Sequence, residues 1–447
     1  MSSQDKIQEL HVGILSAREI SFTLNGKYES DPGNLVLGDK CRAFYRNGKI
    51  VLVSEEREIS STGQIILKPA GSDMSFTLHD VVIGIGFHWE RTEDQVFKGS
   101  LKFIAEEDRI TAVNLIHIEE YLKSVISSEM KATSSAELLK AHAVISRSWL
   151  LAQIEKSRKN RGENSPVRTE FISDTEITRW YDREDHTNYD VCADDHCQRY
   201  QGITRAASPV VAEAVEETIG EVLVYGDEIC DTRFSKCCGG ITELFENVWG
   251  PVHHPYLQSI TDNASSPPGS SQAPVDNERA EDWIRSSPEA FCNTTDKKIL
   301  GQVLNDYDME TMDFFRWKVT YGQDELSDII RTRTGIDFGT VTGLVPLERG
   351  SSGRITRLKI EGTKKNLIIG KELEIRKSLS KSHLYSSCFY VEKTESGKET
   401  KFILHGAGWG HGVGLCQIGA AVMASEGYRY DEILMHYFRG AELKRIY

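Results

Sequence analysis

The hydrophobic positions that follow residue 117 repeat with the period of an α-helix. One apolar helix face is predicted by residues at i, i+3, i+4, i+7 and i+8, namely Ile118, Tyr121, Leu122, Val125 and Ile126. Glu129 lies eleven residues after Ile118, almost three helical turns, so a helix that reaches it directs its side chain from the apolar stripe. Burial disfavours the charged form of a carboxyl group, which makes it a usable proton donor near neutral pH. The alternative is a helix that ends at Ser127 and leaves Glu129 in solvent.

A second amphipathic helix is predicted a few residues later. Ser134 and Glu137 stand in capping-box register. Its predicted buried face consists of Leu138, Ala141, His142, Ile145, Trp149 and Ala152. Together the two helices predict a helical hairpin with Glu129 near its elbow. We interpret His142 as a satisfied core histidine, since a lone histidine in an apolar stripe is more often that than a ligand or a base.

The remaining pattern predicts an α+β fold. Short apolar runs punctuated by Gly, Asn and Asp make residues 10–101 β-rich, and residues 99–116 predict two further strands that lead into the first helix. Exposed connections are predicted at 158–170 and at 263–282, the second of which is rich in Pro, Ser and Gly. Helices are predicted at 283–291, 324–335 and 417–426, with a last helix capped by Asp431, and strands at 315–321, 353–362, 366–377 and 401–406.

Composition and charge limit the classes of function. The chain has 447 residues, 39% of them hydrophobic and 27% charged, which is ordinary globular composition for two lobes or one large domain with insertions. A net charge of −14 argues against nucleic acid and against anionic lipid as partners, because both are bound by basic surfaces. The sequence contains no run of eighteen apolar residues, so no transmembrane segment is predicted, and residues 1–13 lack the pattern of a signal peptide.

Four potential metal ligands occur within twelve residues: His186, Cys192, His196 and Cys197. Imidazole and thiolate groups at this density suit a tetrahedral zinc site. The C-x4-C spacing is looser than in a zinc-finger knuckle, so a surface loop with a disulfide or with free thiols explains these residues equally well. The other cysteines are one group, Cys230, Cys237 and Cys238, and the scattered Cys41, Cys292, Cys388 and Cys416, and spacing alone assigns no disulfide.

The C-terminal region has glycines at 406, 408, 410, 412 and 414, after a predicted strand. This alternation is not the dinucleotide-binding pattern G-x-G-x-x-G. Alternating glycines let a backbone approach a ligand closely while Trp409 and His411 project, and Trp409 could stack on a sugar face. The alternative is a glycine-rich turn that is buried for packing. Gly239 and Gly240 likewise fit either a close approach to something bulky or a tight turn.

Several segments resemble, in order, the conserved blocks of the SpoIID/LytB family of bacterial cell-wall proteins. They are EEYLKSVISSEM, ELLKAHAVISRSWLLA, YDVCADDHCQRYQG, CCGGITELFENVWG, YLQSITD and GAGWGHGVGLCQIGAAVMASEGYRYDEILMHYFRGAEL. The resemblance runs from about Ile110 to the C-terminus. The turn FSKCCGGITE departs from the family pattern: Cys237 and Cys238 replace hydroxyl residues, and Phe234 replaces a common Tyr.

The resemblance implies a SpoIID-like α+β fold with two lobes around a substrate groove. We divide the chain into a β-rich region (1–105), a core with the catalytic hairpin (106–262), a linker and α+β insert (263–353) and a C-terminal core (354–447). The implied function is lytic transglycosylase cleavage of peptidoglycan glycan strands, with Glu129 as catalytic acid and base. The implied substrate-binding residues are Ser128, Arg147, Gly239, Gly240, Trp409, Gly410, His411, Gly412 and Gln417.

The same resemblance carries further expectations. Some family members hold zinc at the segment that matches residues 186–197, which favours a structural zinc ion there over the disulfide. The alternative function is a non-catalytic cell-wall protein that enhances an N-acetylmuramoyl-L-alanine amidase. An extracytoplasmic location is expected from the family, and we expect that a leader was trimmed from this sequence and the first Met added.

Overall fold

The computed structural model describes most of the chain. The described residues are 9–33, 40–54, 57–84, 90–131, 133–160, 169–181, 186–194, 196–205, 208–264, 273–303, 313–397 and 399–447. Parts of three predicted segments lie outside the described residues: 1–8 of the N-terminus, 161–168 of the first connection and 265–272 of the second.

Strands outnumber helices among the described residues. The strands are β1 (Glu9–Ala17), β2 (Glu19–Asn25), β3 (Tyr28–Asp31), β4 (Lys40–Arg46), β5 (Lys49–Ser54), β6 (Arg57–Ser61), β7 (Gln64–Pro69), β8 (Ser75–Ile83), β9 (Arg91–Lys98), β10 (Ser100–Glu106), β11 (Arg109–His117), β12 (Glu170–Ile172), β13 (Glu176–Arg179), β14 (Val191–Cys192), β15 (Glu221–Tyr225), β16 (Glu228–Ile229), β17 (Phe234–Ser235), β18 (Arg316–Gly322), β19 (Val341–Arg349), β20 (Ile355–Gly362), β21 (Asn366–Gly370), β22 (Phe389–Ser396), β23 (Glu399–Ala407), β24 (Leu415–Cys416) and β25 (Glu442–Arg445). The helices are α1 (Ile118–Glu129), α2 (Ala136–Asn160), α3 (Pro209–Glu217), α4 (Asn277–Ser286), α5 (Lys297–Val303), α6 (Gln323–Thr334), α7 (Glu372–Ser378), α8 (Gln417–Ser425) and α9 (Tyr430–Tyr437). The predicted α+β class is confirmed.

The chain forms two compact units, each discontinuous in sequence. Unit 1 contains residues 1–132, 183–220 and 445–447, and unit 2 contains 133–182 and 221–444. Helix α1 therefore belongs to unit 1 and helix α2 to unit 2. The division into four sequence segments stays a prediction, and the packing units run across it.

Unit 1 is built on two antiparallel sheets whose buried positions alternate along the strands. Among the described residues their orders are β14-β1-β11-β10-β7-β3 and β6-β5-β4-β2-β8-β9, with β14 parallel to β1. Apolar side chains fill the core of the unit, for example Phe22 and Phe103, whose ring centroids lie 5.2 Å apart. The predicted strands at 99–116 are confirmed as β10 and β11, and β11 leads directly into α1.

Unit 2 is organised around α2 and two larger sheets. The sheet orders in the described part of the unit are β12-β13-β21-β20-β19 and β18-β23-β22. Residues 141–151 of α2 are all buried, so this helix is enclosed on every side rather than amphipathic as predicted. Among the described residues, no helix is both long and apolar enough to cross a bilayer.

Four local predictions were wrong. The helix predicted at 283–291 is α4, which begins at Asn277 inside the predicted connection and ends at Ser286. Residues 366–377 form one strand in the prediction, but β21 ends at Gly370 and the acidic and basic residues after it form α7. The N-terminus of α2 is capped by Ser135, whose Oγ accepts from the Leu138 N–H at 3.4 Å, while the Ser134 hydroxyl donates to the Gln302 carbonyl. Helix α9 begins one residue before the predicted cap Asp431. In each case tertiary contacts or neighbouring polar groups shift an element boundary that pattern alone leaves open.

Candidate functional site

Glu129 is the last residue of α1. The helix continues past Ser127, and Glu129 is half-buried at its C-terminal end, so the alternative of a helix that stops at Ser127 is wrong. Its carboxylate makes no hydrogen bond or ion pair with any residue that the structure describes.

Neighbouring side chains of unit 1 fix helix α1 in position. The ring of Tyr121 stacks on that of Tyr200 with centroids 4.9 Å apart, and the Tyr200 hydroxyl donates to Asn114 Oδ1 of β11 at 2.7 Å. The Gln201 backbone N–H donates to Ser124 Oγ at 3.1 Å. Helix α1 is thus held by the chain segment around residue 200 as well as by the strand that precedes it.

Ser128, a predicted substrate-binding residue, lies next to Glu129 in the sequence. Its side chain is buried, and its hydroxyl donates to the Ser124 carbonyl one turn earlier at 2.9 Å. This is a local bond within the helix. A role for Ser128 in substrate binding stays a prediction.

The four predicted metal ligands lie together in unit 1. One donor atom from each of His186, Cys192, His196 and Cys197 falls within 4.8 Å of all the others. Cys197 Sγ lies 3.4 Å from His186 Nε2 and 3.5 Å from His196 Nδ1, and Cys192 Sγ lies 3.8 Å from His196 Nδ1. These separations match the sulfur–nitrogen edges of a tetrahedral zinc site, which are about 3.5 Å for bonds of ~2.3 Å to sulfur and ~2.05 Å to nitrogen.

The chemistry of this donor set also fits a metal ion. The Cys197 thiol and the imidazoles of His186 and His196 lower the pKa of the Cys192 thiol to about 2, in opposition to burial. Thiolate is the form that binds zinc. Strand β14 pairs with β1 next to the cluster, and a cavity of about 400 Å³ in unit 1 adjoins it. We therefore regard these four residues as able to hold zinc.

Two predicted binding residues of unit 2 are buried around His142. The Gln417 amide lies 3.0 Å from His142 Nε2, and the Ser146 hydroxyl lies 3.4 Å from Nδ1. Burial, and then the charge of Lys236, lower the pKa of His142 to about 3, so the ring is neutral. Arg147 is also fully buried and donates to the Glu221 carbonyl at 3.0 Å. Glycan contact by Arg147 or Gln417 stays a prediction that requires these groups to become exposed.

The glycine-rich segment around residue 410 packs against the Cys-Cys-Gly-Gly turn within unit 2. Cys237 and Trp409 exchange backbone hydrogen bonds of 3.0 and 2.8 Å. A Cβ on Gly239, which has φ +82°, would lie 2.9 Å from the Gly408 nitrogen, and one on Gly412 would lie 2.5 Å from Cζ of Arg354. Glycine is required at both positions because other atoms of the same chain lie too close to leave room for a Cβ. Close approach to a ligand at Gly239, Gly240, Gly410 or Gly412 stays a prediction.

Trp409 and His411 project from this segment into aromatic surroundings. Trp409 is half-buried and stacks on Phe314, with centroids 4.6 Å apart and planes at 16°, while Tyr385 meets it edge-on. His411 lies against Trp249, and its Nδ1 accepts from the Val413 N–H at 3.0 Å. Burial, then the charges of Arg233 and Arg354, lower the pKa of His411 well below its usual value. Phe314 covers one face of the Trp409 indole, so a sugar could stack only on the part of the indole that is still exposed to solvent.

A second group of potential metal ligands was missed by the sequence analysis. Cys238, Asp262, Cys292 and Cys416 are all buried in unit 2, and one donor atom from each lies within 4.8 Å of the others. These residues are scattered along the chain with no Cys-x-x-Cys spacing, so only the adjacent pair Cys237 and Cys238 gave any signal.

Comparison with known families identifies two matching regions. Residues 106–225 match the family model for the stage II sporulation protein, SpoIID, and residues 243–414 match a domain of unknown function, DUF8618. The first region contains α1 with Glu129, α2 and all four residues of the His/Cys group.

Individual relatives cover most of the chain. An uncharacterized protein of Brachyspira hyodysenteriae is 28% identical over 347 residues, which is 78% of this chain and 72% of that protein. Stage II sporulation protein D of Bacillus amyloliquefaciens is 24% identical over 332 residues, 74% of this chain and 75% of that protein. The amidase enhancer of Bacillus subtilis is 25% identical over 343 residues, 72% of this chain and 40% of that protein. The resemblance seen in the sequence motifs is therefore confirmed: this chain is similar to stage II sporulation protein D and to the amidase enhancer, and its residues 106–225 match the SpoIID family model.

Proposed function

We propose that this chain is a lytic transglycosylase that cleaves peptidoglycan glycan strands between N-acetylmuramic acid and N-acetylglucosamine, with Glu129 as the catalytic acid and base. The observation that carries this proposal is the half-buried carboxylate of Glu129, without a partner among the described residues, at the end of an anchored helix inside the region that matches SpoIID. No described residue gives this carboxylate a structural role, so it is available to act as acid and base toward a substrate.

One carboxyl group suffices for this reaction. Protonated Glu129 donates its proton to the glycosidic oxygen as the bond from that oxygen to C1 of N-acetylmuramic acid breaks. The C6 hydroxyl of the same sugar attacks C1 and gives its proton to the Glu129 carboxylate, which restores the acid. The products are a free hydroxyl on one sugar and a 1,6-anhydro ring on the other. No second carboxylate has to position water, because the nucleophile is intramolecular.

In this proposal the His/Cys group has a structural role: it stabilises the loop that contacts the helix carrying Glu129. If His186, Cys192, His196 and Cys197 hold a zinc ion, all four tetrahedral positions are filled, and the ion contributes stability instead of an activated water. The same loop continues to Tyr200 and Gln201, which contact α1. Order in the loop is thereby coupled to the position of the helix that carries Glu129.

The test is Glu129→Gln on purified glycan strands. The amide keeps the shape of the side chain but cannot transfer the proton, so release of anhydro-terminated products should fall by at least about 100-fold. Thermal unfolding should stay near that of the wild type, because the structure shows no interaction that the substitution breaks among the described residues.

The matched control is Glu120→Gln. Glu120 lies on the same helix and makes a 2.8 Å ion pair with Lys123, so its substitution removes the same charge from the other face of α1. Product release should be unchanged in this control. If Glu129→Gln releases anhydro products at the wild-type rate, Glu129 is not the acid.

The second candidate function is enhancement of a cell-wall amidase without catalysis. It is favoured by the amidase enhancer of Bacillus subtilis, which aligns with 72% of this chain. In that case the wild-type protein should release no anhydro products, and the wild type and Glu129→Gln should raise the turnover of an added amidase equally. Either function requires an extracytoplasmic location, where peptidoglycan is found.

A further inference from the structure

The second ligand group, Cys238, Asp262, Cys292 and Cys416, is built from four separate parts of unit 2. Cys238 lies in the Cys-Cys-Gly-Gly turn, Asp262 and Cys292 lie on connecting segments, and Cys416 immediately precedes α8. Relative exposures of 2%, 0%, 1% and 0% in that order show that water is excluded from all four side chains. We refer to these four residues as the Cys3Asp group.

The distances within the Cys3Asp group suit one metal ion. Cys238 Sγ lies 3.5 Å from Cys292 Sγ and 3.4 Å from Asp262 Oδ2. A tetrahedral zinc site has sulfur–sulfur edges of about 3.8 Å and sulfur–oxygen edges of about 3.6 Å, from bond lengths of ~2.3 and ~2.1 Å. A disulfide requires sulfur atoms at about 2.05 Å, which this pair does not approach. A [4Fe–4S] cluster holds its cysteines farther apart, since each binds a different iron atom.

The electrostatic surroundings of Asp262 also favour a cation. The carboxylate accepts hydrogen bonds from the Tyr437 hydroxyl at 2.7 Å and from the Cys292 backbone N–H at 3.2 Å, both of which are neutral donors. The His436 imidazole lies 3.6 Å away and is a cation only when protonated. A fully buried carboxylate among three thiols has a large desolvation cost, which a divalent ion would offset directly.

Backbone groups around the site are arranged to support thiolate ligands. The Cys238 N–H donates to Cys416 Sγ at 3.2 Å. Cys416 is the N-cap residue of α8, where the partial positive charge of a helix N-terminus favours an anion. Gly419 keeps the helix close to the site, because a Cβ there would lie 2.6 Å from Asp262 Oδ2.

We propose that Cys238, Asp262, Cys292 and Cys416 bind a structural zinc ion that is separate from the His/Cys group of unit 1. Three thiolates and a carboxylate fill the four tetrahedral positions, so the site has no open position for water or substrate. Thiolate-rich sites select zinc among the common divalent metal ions. The ion would fasten the Cys-Cys-Gly-Gly turn, the segment at Cys292 and the start of α8 to one another.

Zinc content per chain tests this proposal directly. The protein is purified without chelator and in the presence of zinc, and elemental analysis is performed on the wild type, Cys292→Ser and Cys197→Ser. The wild type should hold about two zinc ions per chain, and each variant about one. Cys230→Ser is the matched control, since Cys230 is a fully buried thiol outside both groups and its substitution should leave zinc content unchanged.

A second measurement covers the case in which Cys292→Ser does not fold. Native wild-type protein is treated with a thiol-alkylating reagent and analysed by peptide mass spectrometry, with and without prior removal of zinc. Cys238, Cys292 and Cys416 should be alkylated only after zinc is removed under conditions that open the unit. The proposal is overturned if these peptides contain a disulfide, or if all the zinc of the wild type is lost in Cys197→Ser.

Discussion

The two ligand groups use similar side chains but are assembled in opposite ways. The His/Cys group of unit 1 comes from one loop, and its members His186 and Cys197 are eleven positions apart. The Cys3Asp group of unit 2 includes Cys238 and Cys416, which are 178 positions apart. His196 of the first group is exposed, whereas the second group is wholly buried.

This difference determines what a bound ion would do for stability. Closing a loop costs about (3/2)RT ln n of chain entropy, so a link across 178 positions removes about 2.5 kcal/mol more from the unfolded state than one across eleven. A local loop can also form around a metal ion before the rest of the protein folds, while a dispersed site exists only after folding. An ion in the first group would thus stabilise one loop, whereas the second group is assembled only by the tertiary structure.

The largest expected difference between the two groups is in the rate of zinc removal by a chelator. The partly exposed His/Cys group should release its ion rapidly, and the buried group only when unit 2 opens locally. An opening that costs about 3 kcal/mol slows removal by about 100-fold. A chromogenic chelator should therefore record two phases, of which Cys197→Ser lacks the fast one and Cys292→Ser the slow one. A single phase in the wild type would contradict the comparison.

Loss of either ion should lower the free energy of unfolding by several kcal/mol, by more in Cys292→Ser than in Cys197→Ser. The physical reason is the longer chain segment that Cys292 and its partners close. Denaturant unfolding of both variants and of the control Cys230→Ser measures the difference. Equal losses for the two variants would show that loop length does not govern the effect.

Acid should also destabilise unit 2 through His142, independently of metal. The folded-state pKa of His142 is lowered from 6.5 to about 3, so its contribution is complete above pH 6.5 and is lost as the pH falls toward 3. At pH 5 the expected loss is about 2 kcal/mol. Unfolding of His142→Gln between pH 7 and pH 5 should lack this part of the stability loss. What remains belongs to the metal ligands and to other groups such as His411, whose pKa is also lowered. A wild-type slope that the substitution leaves unchanged would mean that His142 does not titrate in this way.

The smallest expected effect concerns Trp409, seven positions before Cys416. Trp409→Ala should cost about 1–3 kcal/mol of stability, because the indole is half-buried against Phe314. It should also weaken binding to insoluble glycan if the exposed part of the ring contacts sugar. Phe314→Ala removes the same stacking pair but leaves the indole, so it should retain binding. Equal binding by Trp409→Ala and the wild type would assign Trp409 to packing alone.

Several features of the fold were predictable because they depend on local periodicity. The apolar spacing in α1 satisfies the geometry of one helix, the apolar runs of β10 and β11 satisfy that of two strands, and the structure confirms all three elements. Helix α2 was predicted in position, and His142 was predicted in the core, but burial of the other faces of the helix was not. Ser146 and Arg147 are polar and buried, so no sequence pattern separates them from residues on an exposed face.

The sequence by itself determined the α+β class, the resemblance to SpoIID proteins and the membership of the His/Cys group. Each of these depends on residues that are close together in the chain or on ordered motifs. Only the tertiary structure decided that Cys238, Asp262, Cys292 and Cys416 meet, and that Gly412 is a glycine because Arg354 lies against it. The physical reason is that such contacts join residues far apart in sequence, where spacing carries no information and the packing of whole elements sets every distance.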